Sequence, residues 1–102
     1  MSESKKKRDI KPINECDFVI NLPKTLQELG LTRNALAVES KIRPLTINEI
    51  ASGKVKQINF STLESILEAL NRIVKEKGID KQYKVSDVFE YQFGEDTKED
   101  SE

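Results

Sequence analysis

Between Phe18 and Phe93 the apolar residues recur in short amphipathic segments punctuated by Gly, Pro and Asn. Leu22, Leu26 and Leu29 fall at i, i+4, i+7 and predict a first helix, with Asn21 as N-cap, Pro23 in the first turn and Gly30 as the stop. Thr32 caps a second helix that ends near Ser40, with Leu36 and Ala37 turned inward and Val38 a candidate for the same face. A third helix begins at Pro44, whose fixed φ suits the first helical position, buries Ile47 and Ile50, and stops at Gly53. The fourth is the clearest amphipath. Phe60, Leu63, Leu67, Leu70 and Val74 follow 3, 4, 3, 4 spacing, widened by Ile66 and Ile73, and predict a core stripe whose end beyond Leu70 is a candidate contact for a second subunit. Ser61 with Glu64 fits a capping box, but Asn59 is the preferred cap because it takes Phe60 into the helix and lets Ile58 staple onto Leu63. Gly78 ends it.

Two β-prone runs flank the helices. Phe18-Val19-Ile20 precedes the first, and Glu90-Tyr91-Gln92-Phe93 alternates polar with aromatic after a short fifth helical turn capped by Ser86. The two runs are expected to pair. Residues 1–16 lack periodicity and predict a basic arm without a core of its own; residues 17–93 form the domain; residues 94–102 are an acidic, apolar-free tail.

A chain of 102 residues fits one compact domain. The lean hydrophobic fraction of 36%, against 34% charged residues, requires the apolar residues to concentrate in one block, as they do. No long apolar run suggests a membrane span or signal peptide, so a soluble cytoplasmic protein is expected. The single Cys16 has no internal disulfide partner and reads as an unreactive thiol. The net charge of −1 conceals an asymmetry: residues 1–16 hold five basic and three acidic side chains, residues 17–92 eleven and ten, and residues 93–102 one and five. The acidic excess belongs to the tail and says little about the domain's face.

Catalysis finds no support in the residues. There is no histidine, no phosphate-cradling glycine loop and no cluster of Cys or carboxylate ligands, so no enzyme activity, metal or cofactor is expected. What the pattern does supply is two short helices joined by a tight turn, with Ala35 and Ala37 allowing close crossing and Ile47 and Ile50 anchoring the second helix while its other face projects outward.

Leu31-Thr32-Arg33, Leu36-Ala37, Thr46-Ile47-Asn48, Gly53-Lys54, Thr62-Leu63 and Ala69-Leu70-Asn71 stand in the order and spacing of the Cro/C1-type or Xre family of prokaryotic and phage helix-turn-helix regulators, which the chain resembles over about residues 17–93. The segment Val85 to Tyr91 looks like that family's short terminal turn. The resemblance implies a mainly α, lambda-repressor-like domain of five helices with a two-stranded β addition, acting as a double-stranded-DNA-binding transcriptional regulator, a repressor, as a homodimer. It also implies roles by position: Thr32, Arg33 and Asn34 hold phosphate at a helix N-terminus. Pro44, Leu45, Asn48 and Glu49 face base edges, Arg43 and Thr46 lie nearer phosphate, and Lys54 and Lys56 add backbone contacts.

The chain departs from the family pattern in places. Lys41 occupies the turn position usually given to glycine and would need a positive φ at about 1 kcal/mol; Arg33 replaces a phosphate-binding glutamine. Pro44 and Leu45 replace polar base-reading residues, and Glu49 carries a negative charge toward the groove. An exposed Leu45 beside Pro44 suits a protein partner as well as a thymine methyl, so an antitoxin-like or anti-repressor-like interaction module is the alternative. Lys5-Lys6-Lys7-Arg8 reads as a solvated run or as an arm on the DNA backbone. The acidic tail reads as a solubilising end or as an internal competitor for the basic face.

Overall fold

A computed structural model describes residues 10–93; the Lys5 to Arg8 run and the acidic segment 94–102 lie outside the described residues. In chain order the elements are β1 (Phe18–Ile20), α1 (Leu22–Leu29), α2 (Arg33–Ser40), α3 (Pro44–Ser52), α4 (Phe60–Glu76) and β2 (Phe89–Tyr91), with 3-10 turns at Ile13–Glu15 and Val85–Asp87. The architecture is mainly helical with one small antiparallel sheet. Where a fifth helix was expected, the described residues hold only the single 3-10 turn Val85–Asp87. Ser86 lies inside that turn rather than capping it, and the Asp87 carboxylate instead accepts from the Lys84 N–H at 2.8 Å.

Side chains from all four helices and the second turn meet in one core. Leu22, Leu36, Ile47, Ile50, Ile66, Leu70, Val74 and Val88 are fully buried, each removing apolar surface from water for about 1.5–3 kcal/mol before the entropy of ordering is counted. Helix starts are fixed by side-chain acceptors where the sequence offers them: Thr32 Oγ1 accepts from the Ala35 N–H at 3.0 Å and Asn59 Oδ1 from the Thr62 N–H at 2.8 Å. Asn21 occupies the N-cap position of α1 but does not cap it with its side chain. Its Nδ2 donates across the fold to the Ser86 carbonyl at 2.8 Å and to Glu90 Oε1 at 3.2 Å, so it ties α1 to the end of the chain's helical part. Buried Thr25 does the same through its hydroxyl, which donates to the Asp87 carbonyl at 2.7 Å.

Two expected core positions lie elsewhere. Val38 is 70% exposed, and the core stripe of α4 consists of Ile66, Ala69, Leu70, Ile73 and Val74 while Phe60 is 89% exposed and Leu63 and Leu67 are half-buried. The reason is angular: at 3.6 residues per turn Phe60 falls about 110° from the centre of the face formed by Ile66, Ala69, Leu70, Ile73 and Val74, so the 3, 4, 3, 4 series runs along the flank of the buried face and not along its centre. The end of α4 beyond Leu70 is therefore core, and its exposed apolar side is the beginning.

Strands β1 and β2 pair in the register Phe18↔Tyr91, Val19↔Glu90, Ile20↔Phe89. The second strand thus sits one residue earlier than the alternation from Glu90 to Phe93 predicts. Ile20 and Phe89 turn one end of the sheet onto the core, whereas Tyr91 and Phe93 are exposed. The turn Ile13–Glu15, expected to belong to the arm, is docked: the Ile13 N–H donates to the Val55 carbonyl at 2.8 Å and the Asn14 N–H to the Gly53 carbonyl at 2.9 Å. Gly53 has φ 80°, and a Cβ there would stand 2.8 Å from the Asn14 Cβ, so both the backbone conformation and the close approach require glycine.

Candidate nucleic-acid interface

The turn between α2 and α3 is built from local backbone chemistry. Lys41 closes α2 in the left-handed region, φ 60° and ψ 36°, as its place in the sequence demands. Its N–H donates back to the Ala37 and Val38 carbonyls, and the Ile42 N–H to the Ala37 carbonyl at 3.0 Å, while half-buried Ile42 packs on the core. Arg43 is extended, as a residue before proline must be, and Pro44 opens α3. α2 packs closely against α3.

That packing splits α3 into two faces. Ile47, Ile50 and Ala51 are buried at i, i+3, i+4, and the opposite side carries Pro44, Leu45, Asn48, Glu49 and Ser52, all exposed, at i, i+1, i+4, i+5, i+8. Leu45 is 66% exposed and Thr46 half-buried at the flank. Four of the residues singled out in the sequence therefore share one outward stripe. Ser52 extends it and was missed, because a serine near a helix end carries no distinct signal.

At the start of α2, Thr32, Arg33 and Asn34 are exposed. The Thr32 hydroxyl accepts from the Ala35 N–H, so its oxygen serves the helix while the N–H groups of Arg33 and Asn34 have no carbonyl four residues earlier within the helix. Arg43 is exposed at the start of α3. After α3 the Glu49 carbonyl accepts from the Lys54 N–H at 2.9 Å and the Val55 N–H at 3.1 Å, which pins the loop to the helix end. Val55 then points inward and Lys54 and Lys56 point outward on either side of it. Glu49, Lys54, Lys56, Gln57 and Ile10 line one open groove. Arg33 and Asn34 do not line that groove; the α2–α3 packing fixes their position relative to it.

The four cations Arg33, Arg43, Lys54 and Lys56 stand against the single carboxylate Glu49 among these positions. Among the described residues the ion pairs Arg72–Glu39 and Lys81–Glu28 both lie outside this set. Lys11 was also missed. It lines an apolar groove with Lys56, Phe18, Val55 and Phe89, because the docked turn carries it there, and no periodicity before Phe18 marks that docking.

Among the described residues no three His, Cys, Asp or Glu side chains gather as a metal-ligand set, and no helix is long and apolar enough to cross a membrane. Compared with known families, residues 21–76 match the family model of the Cro/C1-type HTH DNA-binding domain. No curated protein and no solved structure matches the chain.

Proposed function

The chain belongs to the Cro/C1-type helix-turn-helix DNA-binding family, and from that premise we propose that it is a sequence-specific repressor of bacterial, phage or mobile-element origin that binds a two-fold duplex site as a homodimer. The observation that carries this reading is the outward stripe of α3, flanked by exposed cations before and after it. A helix presented in this way fits the major groove, where base edges are distinguishable.

In this reading Arg33 and Asn34, with the first N–H groups of α2, hold one phosphate, and Arg43, Thr46, Lys54 and Lys56 hold others. Asn48 suits adenine through a bidentate amide, Glu49 a cytosine amino group, and Leu45 with Pro44 a thymine methyl. Apolar contact and DNA shape then supply part of the discrimination. The DNA-binding domain is taken as residues 17–93, with the turn Ile13–Glu15 of the preceding segment docked against it.

Competition of a labelled duplex from upstream of the chain's own gene against a scrambled duplex tests the proposal. The intact protein should prefer the natural duplex, and Asn48→Ala should reduce that preference by about 1–3 kcal/mol at one base position. Equal affinity for both duplexes overturns the specificity, and the protein-partner reading, which the 66% exposure of Leu45 favours, then takes its place.

A further inference from the structure

The outer side of α4 is left uncovered. Phe60 is exposed, Leu63 and Leu67 are half-buried beside it, and the three line one open groove with Glu64, Glu68, Arg72 and Lys75. The charges on this face are ordered: both carboxylates come before both cations. A helix dipole favours that order only within the terminal turns, whereas Glu68 and Arg72 lie in the middle of the helix. Among the described residues Glu64, Glu68 and Lys75 enter no ion pair, while Arg72 is held 3.0 Å from Glu39 of α2. A second exposed apolar side chain, Ile79, follows the helix end at Glu76.

We propose that this face pairs with the same face of a second copy of the chain, the two α4 helices running antiparallel about a two-fold axis. A face with its carboxylates towards one end and its cations towards the other meets its own complement only when reversed, and a two-fold contact repeats each pairing on both sides of the axis. The charges also set the register. With Glu64 level with Lys75 of the second copy, Glu68 comes level with Asn71, one helical step of about 1.5 Å from Arg72. The same register brings Phe60 level with Ile79, so the two exposed apolar ends meet, and Leu67 with the aliphatic stem of Arg72. Charge and apolar exposure thus select one alignment independently. None of these residues belongs to the sheet edge of Phe18, Tyr91 and Phe93, and the pairing does not rest on the DNA-binding reading. One helix pair of this length buries on the order of 1,000 Å², the low end of specific interfaces. The contact is therefore weak between free chains and counts most where molecules are already held close together.

The test has two arms. In the first, the full chain carrying Tyr91→Ser and Phe93→Ser, which removes the aromatic edge as a contact, is followed by sedimentation equilibrium from micromolar to millimolar concentration. A reversible monomer–dimer equilibrium that weakens as salt rises is expected. On this background Glu64→Lys alone and Lys75→Glu alone should each weaken association about tenfold, because the two-fold axis applies each change twice. An equimolar mixture of the two variants should associate again, since every facing pair in the mixed dimer is then of opposite sign. Both side chains are exposed, so unfolding midpoints should stay close to that of the background chain. No association, single variants that associate as the background chain does, or a mixture that stays dissociated each overturn the proposal. The second arm needs no change at the charged positions. A chain with Cys16→Ser and a nitroxide on Lys77→Cys is mixed at millimolar concentration with isotope-labelled chain, and broadening of the labelled amides is measured by NMR. Antiparallel pairing predicts broadening from Phe60 to Glu64 of the labelled chain. Broadening centred on Lys75 instead, as parallel helices give, or no broadening on α4, overturns it.

Discussion

Single residues carry opposite obligations on either side of α3. Lys41 holds φ 60° at the end of α2, a conformation that costs a residue with a Cβ about 1–2 kcal/mol. Lys41→Gly should therefore raise stability by about 0.5–1 kcal/mol, less than the full strain because glycine also loosens the unfolded chain; chemical denaturation measures it, and a loss of stability would mean the lysine makes a compensating contact. Gly53 is the reverse case, since a methyl group there adds backbone strain and collides with Asn14. Gly53→Ala should cost about 2 kcal/mol or more and shift NMR signals of the Ile13–Glu15 turn. The lysine's strained turn was legible in the sequence because the family resemblance marks that position. The glycine's second role was not, since it depends on a contact 39 positions away along the chain.

At the scale of elements, each helix's existence, and α3's division into buried and outward faces, followed from spacing and caps. What spacing misplaced was the start of α4, where Phe60 falls off the buried face. Phe60→Ala should change stability by less than about 0.5 kcal/mol, whereas Ile66→Ala should cost about 2–5 kcal/mol; denaturation midpoints of the two variants separate the alternatives. The loop after α4 was equally hidden. Asn71 Nδ2 donates to the Tyr83 carbonyl at 3.1 Å and its Oδ1 accepts from the Tyr83 N–H at 2.7 Å, which folds the chain back onto α4 and buries Tyr83. No periodicity announces a single asparagine that clamps a backbone twelve residues on. Burial, opposed in part by Lys81, raises the Tyr83 phenol above its ordinary value of 10.0, with Glu28 adding to the rise. A folded-state value above the unfolded one means that this contribution to stability is present below about pH 10 and is lost as pH rises through the folded value. An absorbance titration should find Tyr83 ionising late, together with unfolding, and Tyr83→Phe should reduce the alkaline loss of stability; ionisation of Tyr83 at its ordinary value would contradict the burial.

For the whole molecule, the two ends of the sheet face different surroundings. Ile20 and Phe89 close the core, but Phe18, Tyr91 and Phe93 continue as a row of exposed rings in edge-on and tilted contact. An exposed aromatic strip beside a two-stranded edge suits a second copy in an isologous contact. Sedimentation at micromolar concentration should report a dimer that weakens in Tyr91→Ser with Phe93→Ser; a monomer with and without DNA would refute it. The distribution of charge also belongs to this scale: a net −1 chain places cations around α3, while its acidic excess comes from residues 93–102, which hold five carboxylates and one lysine. Sequence alone separated those charges along the chain, and the folded structure placed Lys11 and Lys56 in one groove with Phe18.

The central claim is that the α2–turn–α3 unit meets DNA with Arg33, Arg43, Lys54 and Lys56 on its backbone. Affinity for the natural duplex measured across salt concentrations tests it most directly. With these four cations engaged, log affinity should fall with log salt at a slope of about −3.6 per protomer, and Arg33→Ala or Arg43→Ala should each flatten it by about 0.9 while weakening binding at low salt. A slope near zero, or two arginine variants that bind with the intact protein's affinity and slope, would contradict the account.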